Sequence, residues 1–231
     1  MNVNFKELLK WFIKRIRKKI RSYSFTSQDR RHSKVGLIGD WKEKREFQIN
    51  FLRSIDLKPT HFLLDLGCGT LRGGIPIIKY LNERNYTGID VRAKVIKEAK
   101  KELKLYHLEE KKPKLIYFKK FNELKFSKKF DVIWAFSVLI HLKDEMLDKC
   151  LEFIRNNLKQ DGRFFCNVNV TPNEKLWRDF PLILRSLEFY ENKARKHNLK
   201  IQIIGPAEVG IYYRFNDPEI KHPIIKFTKI E

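Results

Sequence analysis

Cysteine is scarce in this chain of 231 residues: only Cys68, Cys150 and Cys166 are present, and no two of them have Cys-x-x-Cys spacing. A small, odd and widely spaced set argues against a disulfide framework and a zinc site, and it favours a reducing compartment. Long apolar runs are also missing. The longest segment without Lys, Arg, Asp or Glu is 132–142, well short of the ~18–20 residues that a membrane-spanning helix requires. The sequence therefore predicts no metal site and no transmembrane helix.

Acidic residues are in short supply as well, since 28 Asp and Glu stand against 49 Lys and Arg, for a formal net charge of +21. The excess is uneven: residues 1–34 contain eleven basic residues but only Glu7 and Asp29 as acids, a net charge of +9. A surplus of this size favours a polyanionic partner, either nucleic acid or an anionic membrane surface. The apolar content of 42% is high enough for a packed core.

The first 22 residues have the pattern of a basic amphipathic helix, with apolar residues at helical spacing and Lys or Arg on the opposite face. Asn4 followed by Glu7 resembles a capping box at its start. Lysines interrupt every apolar run, which excludes a secretory signal peptide. Two interpretations stay open: the helix packs on protein, or it lies in the headgroup plane of an anionic membrane with Trp11 and Phe12 as anchors. An RNA-binding arm is a third.

The rest of the chain divides into a short linker and one domain. Residues 23–40 are polar and contain Gly36 and Gly39, which predicts a linker, and the main domain is expected over residues 41–231. Predicted helices cover residues 42–56, 75–81, 93–106, 144–158 and about 180–197. Predicted strands cover residues 62–66, 86–90, 115–118, 130–138, 163–170, 200–205 and 223–230, with a turn at Asp161 and Gly162.

Strands that alternate with helices favour a mostly parallel sheet covered on both faces. The predicted fold class is therefore α/β, a Rossmann-like three-layer sandwich with a seven-stranded, mostly parallel sheet and an added N-terminal amphipathic helix. In such sheets, ligands bind beyond the carboxyl ends of the strands, beside the first strand.

The segment LLDLGCGTLRGG, residues 63–74, places four glycines directly after the first predicted strand. A P-loop requires Lys and then Ser or Thr after its glycines, whereas Ile75 and Pro76 follow here. A dinucleotide fingerprint requires a third glycine at position 72, which is Arg72. The carboxylate of Asp65 would also repel a pyrophosphate, so the loop is better suited to a cationic ligand without phosphate.

The Asp-x-Gly-x-Gly of residues 65–69 resembles the first motif of the class I S-adenosylmethionine-dependent methyltransferases. The resemblance extends to YTGID at 86–90, FDVIWAFSVLIHL at 130–142 and DGRFF at 161–165, and it covers about residues 41–230. It implies S-adenosyl-L-methionine as the cofactor. The segment GDWKEKREFQINFL resembles the lead-in of some bacterial members, in which a helix carrying Trp and Gln covers the cofactor.

The resemblance also implies roles for individual residues. Asp65 would hold the ammonium group of the cofactor, and Asp90 would accept hydrogen bonds from both ribose hydroxyls. Gly67 and Gly69 would allow the backbone to approach the cofactor closely. The complete set of implied cofactor-binding residues is Asp65, Gly67, Cys68, Gly69, Asp90, Asn122, Trp41 and Gln48.

The chain departs from the family pattern at two places. Leu71 stands where many members have a third small residue, and the shift of the glycines to Gly73 and Gly74 indicates a reshaped helix start. An acidic residue that commonly contacts the adenine is missing from KKFNELKF, residues 119–126, where Asn122 is the candidate replacement.

The segment after the fourth strand bears on the methyl acceptor. Methyltransferases acting on adenine N6 or on amide nitrogens resemble one another in an Asn/Asp-Pro-Pro-Tyr/Phe loop, which AFSVLIHL lacks, and neither Cys150 nor Cys166 is suitably placed for a cytosine-C5 mechanism. SVLIHL instead resembles the branch that O-methylates small molecules and glycans. His141 is the candidate catalytic residue, as a general base or an acceptor-orienting group. Alternatively, it caps the following helix or packs beside the cofactor.

Tyr212, Tyr213 and Arg214 are the candidate acceptor-binding residues, and His222 is a weaker site candidate. The main hypothesis is O-methylation of a saccharide or saccharide-lipid intermediate by a cytoplasmic enzyme, peripheral on the inner face of the cell membrane. The alternatives are an RNA methyltransferase that uses the basic arm to hold nucleic acid, and an inactive, membrane-attached binding module. The intact Asp65 and Asp90 argue against the last alternative.

Overall fold

The structure is a computed structural model that describes residues 26–35, 41–171, 175–177, 182–206 and 220–230. The predicted amphipathic helix of residues 1–22 lies outside the described residues, as do Tyr212, Tyr213 and Arg214. The strands are β1 (Leu63–Leu66), β2 (Tyr86–Asp90), β3 (Lys114–Tyr117), β4 (Phe130–Ala135), β5 (Leu158–Asn167), β6 (Lys175–Trp177), β7 (Leu182–Leu184), β8 (Leu199–Pro206) and β9 (Pro223–Lys229).

A seven-stranded sheet in the spatial order β3-β2-β1-β4-β5-β9-β8 forms the centre of the domain. Strands β1 to β5 pair in parallel, whereas β9 is antiparallel to both of its neighbours, β5 and β8. This architecture confirms the predicted seven-stranded, mostly parallel sheet. Because β1 lies between β2 and β4, the chain changes direction across the sheet there, and a crevice opens at the carboxyl ends of these strands.

Helices cover both faces of the sheet. They are α1 (Ser27–His32), α2 (Trp41–Ser54), α3 (Gly74–Tyr80), α4 (Ala93–Leu105), α5 (Asp144–Asn157) and α6 (Leu187–Lys196). Apolar residues of α2, α3 and α4 join one core cluster, and those of α5 and α6 join a second cluster. The predicted three-layer α/β sandwich is therefore confirmed.

The two central strands are apolar because neither face of the sheet meets water. All four residues of β1 are buried, and the fully buried Trp134 in β4 packs its ring against Phe51 and Phe136, with centroids 5.4 Å and 5.7 Å away. Its indole N–H donates to the Gln48 Oε1 at 3.0 Å, so the buried donor is satisfied. Full burial of one large apolar side chain contributes ~1.5–3 kcal/mol, and these positions hold the layers together.

Two strand boundaries differ from the sequence prediction. Strand β4 ends at Ala135 rather than at residue 138, because Ser137 adopts a left-handed backbone with φ of 60° and a 3-10 turn follows at Leu139–His141. Strand β5 begins at Leu158 and runs through the predicted Asp-Gly turn. The pairing of β4 with β5 shifts register here, which accommodates the extra residues of β5. Gly162 packs closely against Leu158: a Cβ atom at position 162 would lie 2.8 Å from the Leu158 side chain.

The predicted helix over residues 180–197 begins later than expected, at Leu187. Its N-cap is Ser186, whose hydroxyl accepts a hydrogen bond from the Phe189 N–H at 3.1 Å and so fixes the first turn. Upstream of this cap, β7 pairs antiparallel with β6 in a separate two-stranded sheet. The sequence analysis did not predict this pair.

The segment interpreted as a linker is partly helical. Thr26 and Asp29 form a capping box, α1 follows, and a 3-10 turn occupies Ser33–Val35. Residues 26–35 are here called the strap. The strap packs on the domain: His32 is buried, and its ring stacks on the Trp41 ring with centroids 3.5 Å apart. A plain linker is therefore wrong for this part of residues 23–40, and the domain boundary at residue 41 stays a prediction.

Glu102 of α4 anchors the strap. Its side chain is 0% exposed, and its carboxylate lies 3.1 Å from the Arg31 Nε, 3.0 Å from the His32 Nε2 and 3.6 Å from an Arg45 guanidinium nitrogen. The basic side chains around this buried carboxylate depend on it as their hydrogen-bond acceptor. Removing the acid would therefore leave buried donors without an acceptor.

Glu102→Ala should therefore lower the free energy of unfolding by about 3 kcal/mol, the usual cost of breaking a buried ion pair from one side. Urea denaturation followed by tryptophan fluorescence measures this change. Glu98→Ala on the same helix is the matched control, because among the described residues Glu98 pairs only with the exposed Lys101, and its loss should cost less than about 1 kcal/mol. Equal effects of both substitutions would contradict this role for Glu102.

Candidate cofactor site

A cavity of about 840 Å³ opens at the carboxyl ends of β1, β2 and β4. This volume lies within the range of small-molecule sites, roughly 300–1,000 Å³. The strap contributes Ser33 and Lys34 to its wall, and α2 contributes Lys44 and Gln48. Its other lining residues include Asp65, Gly67, Cys68, Gly69, Arg72, Gly73, Asp90, Val91, Arg92, Phe118, Lys119, Phe121, Phe136, Ser137, Val138, Ile140, His141, Leu142 and Met146.

The glycine loop after β1 needs glycine for conformation and for space. Gly67 and Gly69 have φ values of 73° and 56°, a left-handed backbone that side chains disfavour. A Cβ atom at Gly67 would also lie 2.5 Å from the Val138 Cγ2. The loop is tied to β2, since the N–H groups of Gly67 and Cys68 both donate to the Ile89 carbonyl, at 2.8 Å and 3.1 Å.

Leu71 shows how the loop accommodates its departure from the family pattern. It is fully buried and left-handed, with φ of 64°. A Cβ atom at Gly74 would lie 2.6 Å from both the Leu71 Cδ2 and the Tyr86 hydroxyl. A side chain at Gly73 would collide with the Gln48 amide in the same way. The displaced glycine pair thus makes room for Leu71, in line with the predicted reshaping of the helix start.

Asp65 ends up buried at the floor of the cavity. The Tyr86 hydroxyl donates to its Oδ2 at 2.6 Å. The pKa of Asp65 is raised to about 7, mainly by burial and also by the nearby Asp90, while the Tyr86 hydrogen bond and the Arg72 charge act in the opposite direction. A carboxyl group in this state gains from a cationic ligand that restores its charge.

Asp90, at the end of β2, accepts four N–H groups of the described residues. The Gly69 N–H reaches its Oδ2 at 3.1 Å, and the Arg92 N–H reaches its Oδ1 at 2.9 Å. The Arg92 guanidinium adds Nε to Oδ1 and a terminal nitrogen to Oδ2, both at 3.0 Å. Asp90 is also buried. Gly69 and Asp90 line the same cavity, although 21 residues separate them in the sequence.

The two candidates on α2 take different positions. Gln48 lies on the cavity wall, where its Nε2 donates to the Lys44 carbonyl at 3.0 Å and its Oε1 accepts from Trp134. Trp41 lies behind the wall instead. Its ring is covered by His32, and the Arg45 and Arg72 guanidinium groups lie 5.6 Å and 5.8 Å from its centroid. These partners use the faces of the indole that a cofactor would contact.

Asn122, the candidate for the adenine end, is exposed to solvent on the 3-10 turn Phe121–Glu123. The neighbouring Phe118, Lys119 and Phe121 line the cavity. A 3-10 helix has three residues per turn, so adjacent side chains point in different directions. Phe121 faces the cavity, whereas Asn122 faces solvent. The structure therefore does not bring Asn122 to the cavity wall.

His141 lies on the cavity wall at the end of the 3-10 turn after β4. Its backbone N–H donates to the Val138 carbonyl at 3.0 Å. The N-cap residue of α5 is Lys143, so the alternative in which His141 caps that helix is not what the structure shows. His222 is further away from the wall, with its Nδ1 2.9 Å from the Oδ1 of the fully buried Asn169.

The cysteines occupy two different places. Cys68 lines the cavity, while Cys150 and Cys166 are fully buried in the core cluster beneath α5. Burial raises the pKa of each thiol, so all three remain protonated thiols at neutral pH. They lack the thiolate character that a nucleophilic mechanism requires.

The sequence analysis missed several basic residues of the wall. Arg72 is nine-tenths buried with its guanidinium 5.8 Å from the Trp41 and Phe136 ring centroids, and Lys44 is a buried lysine on α2. Arg92 covers the Asp90 carboxylate. The sequence does show Arg72 inside the glycine loop and Arg92 two residues after Asp90. It does not show that their side chains turn toward the cavity.

Comparison with known proteins agrees with this geometry. Residues 64–164 match the family model described as a methyltransferase domain, and no curated protein matches the chain. An S-adenosylmethionine-dependent methyltransferase from Clostridium acetobutylicum is 15% identical with a TM-score of 0.62, over 83% of this chain and 93% of that chain. The magnesium protoporphyrin IX methyltransferase of Synechocystis, solved with the methyl donor bound, is 14% identical with a TM-score of 0.63, over 92% and 96%.

An O-methyltransferase from a polyketide synthase of Brevibacillus brevis, in complex with S-adenosyl-L-homocysteine, is 14% identical with a TM-score of 0.60, over 80% of this chain and 72% of that chain. Identities this low establish a shared fold. The matched domain, residues 64–164, runs from β1 into β5 and includes Asp65, Asp90 and the whole glycine loop. Residues 64–164 therefore match a methyltransferase domain, within a fold shared with S-adenosylmethionine-dependent methyltransferases, and both findings support S-adenosyl-L-methionine as the cofactor.

Proposed function

We propose that this methyltransferase O-methylates a saccharide or saccharide-lipid intermediate at the cytoplasmic face of a membrane. The observation that supports it most is one cavity lined by Asp65 and Asp90 on the cofactor side and by His141 on the wall after β4. The bound cofactor supplies a methyl group that its sulfonium has already activated. The protein then has to position the acceptor and remove its proton.

The residues of the cavity fit this cofactor. The glycine loop lines the cavity with Gly67 and Gly69, and Asp65 is a buried carboxyl group that an ammonium can pair with. The amino-acid end of the cofactor also carries a carboxylate, for which Arg72 and Lys44 provide cationic groups on the same wall. Asp90 faces the cavity as the acceptor for the ribose hydroxyls.

On the wall after β4, the apolar residues Leu142 and Met146 follow His141 in the chain and also line the cavity. The imidazole in this position would take the proton of a sugar hydroxyl as the oxygen attacks the methyl carbon. The apolar neighbours would pack against the acceptor. This combination favours an acceptor that presents one hydroxyl on a partly apolar scaffold.

The N-terminal arm supports the membrane part of the proposal. The strap follows the arm directly in the chain, and its Ser33 and Lys34 reach the mouth of the cavity. An arm bound to anionic lipid headgroups would hold this mouth next to lipid-linked substrates. Among the described residues, no helix has both the length and the apolar character needed to cross a membrane.

The pH dependence of cofactor binding tests the role of Asp65. Because its folded pKa is raised to about 7, the group must lose a proton below that pH before it can pair with an ammonium. The dissociation constant for S-adenosyl-L-homocysteine should therefore increase by up to roughly tenfold per pH unit below 7 and level off above it. Calorimetric titrations between pH 5.5 and 8.5 measure this. Asp65→Asn should bind weakly with a flat profile, and a wild-type profile that is equally flat would refute the assignment.

Replacing His141 tests the acceptor chemistry. His141→Ala should reduce kcat for methyl transfer to a membrane-extracted saccharide-lipid fraction by about 10²–10⁴-fold, because the general base is lost. Affinity for S-adenosyl-L-homocysteine should stay within about twofold, since His141 is not assigned to the cofactor. Transfer of labelled methyl groups provides the rate. His61→Ala, at the opposite edge of the sheet, is the control, and an unchanged rate in His141→Ala would exclude the base role.

Vesicle co-sedimentation tests the membrane part. The full chain should pellet with vesicles containing phosphatidylserine and stay in solution with phosphatidylcholine alone. Combined Lys14→Glu, Arg17→Glu and Lys18→Glu should abolish pelleting. The matched control carries Lys94→Glu, Lys97→Glu and Lys101→Glu on the exposed face of α4 and should pellet normally. Binding to single-stranded RNA that falls steeply with salt, without vesicle binding, would instead favour an RNA methyltransferase.

A further inference from the structure

The Asp90 carboxylate has no free acceptor site for the ribose in this structure. A carboxylate offers about four lone-pair positions, and the four N–H groups of Gly69 and Arg92 occupy them. Two of these donors are backbone N–H groups, which the glycine loop and the β2 terminus hold in place. The other two belong to the Arg92 guanidinium. Bidentate binding of both ribose hydroxyls therefore requires the guanidinium to leave.

The Arg92 side chain is able to leave. It is 49% exposed, whereas Asp90 is 3% exposed, so the guanidinium can move into water while the carboxylate stays in place. While it remains, it neutralises a carboxylate that lies close to Asp65, and the pair raises the pKa of Arg92 mainly through the hydrogen bonds from its guanidinium to Asp90. Two buried carboxyl groups in one cavity repel each other unless a cation compensates at least one of them.

The same guanidinium also holds the strap. Its second terminal nitrogen donates to the Lys34 carbonyl at 3.2 Å, next to the strap residues that line the cavity. The other end of the strap is fixed independently, through Arg31 and His32 on Glu102. Arg92 thus connects the ribose carboxylate to the cavity end of the strap, while the Glu102 end does not depend on it.

We propose that Arg92 is a displaceable counter-ion for Asp90, which the ribose of the cofactor must expel, and that its departure releases the cavity end of the strap. This rests on the proposed ribose contact of Asp90. Two consequences distinguish it from a static salt bridge. Arg92 lowers the apparent affinity for the cofactor, because only the fraction of molecules with an open carboxylate can bind. Cofactor binding also loosens residues 33–35, the cavity end of the strap.

The experiment uses the full chain with S-adenosyl-L-homocysteine as the probe and two readouts, calorimetry and amide hydrogen exchange. Arg92→Ala should bind the probe about five- to tenfold more tightly than wild type, because the competitor is gone. In wild type, saturation with the probe should speed exchange at residues 33–35 at least threefold and leave residues 29–32 unchanged. In Arg92→Ala, residues 33–35 should already exchange fast and should not respond to the probe.

Two further variants separate the possible failures. Lys94→Ala, an exposed residue at the start of α4, should behave as wild type. Asp90→Ala should lose the probe but show fast exchange at residues 33–35, because Arg92 has lost its anchor. Probe binding by wild type with unchanged or slower strap exchange, and no gain in Arg92→Ala, would overturn the counter-ion proposal and leave the cofactor assignment intact. Undiminished binding in Asp90→Ala would overturn the ribose contact itself.

Discussion

Two buried carboxyl groups, those of Asp65 and Asp90, lie close together at the carboxyl ends of β1 and β2, and the rest of the site depends on this constraint. Parallel pairing of β1 with β2 brings Asp65 and Asp90 to the same edge, where burial disfavours a charge on either of them. Each therefore has its own compensation: the Tyr86 hydroxyl for Asp65, and two backbone N–H groups with Arg92 for Asp90. A ligand with an ammonium and a diol would complement these two groups, which is why we propose Asp65 and Asp90 as its contacts.

Local patterns were enough to predict the sheet, because buried parallel strands need continuous apolar residues and turns between them need glycine. Strand β2 matches its predicted bounds, and α5 ends within one residue of its own. The failures occurred where tertiary contacts overrode a local signal. The Asp161-Gly162 turn became a strand irregularity because Gly162 packs tightly against Leu158. The strap became helical and docked because Glu102, seventy residues away in the sequence, provides its counter-charge.

The site shows the same division. Asp65, the glycines and Asp90 were predictable because the backbone alone places them at strand ends. Side-chain partners were not, because Arg72 and Trp41 take their positions from residues distant in sequence. Trp41 is the clearest example: a Trp at the start of a covering helix suggested a cofactor contact, but the strap places His32 on its ring. Gln48 reaches the wall because Gly73 leaves space for its amide and the buried Trp134 N–H needs an acceptor.

The distribution of positive charge connects the site to the arm. Net charge alone suggested a polyanionic partner, yet the basic residues near the cavity are held by specific acceptors: Arg92 by Asp90, and Arg31 and Arg45 by Glu102. These groups are not available to hold an external polyanion while they remain paired. The arm, residues 1–22, contains eight basic residues and has Glu7 as its one acidic residue. We therefore propose the arm, rather than these paired charges around the cavity, as the part of the chain that would recognise an anionic surface.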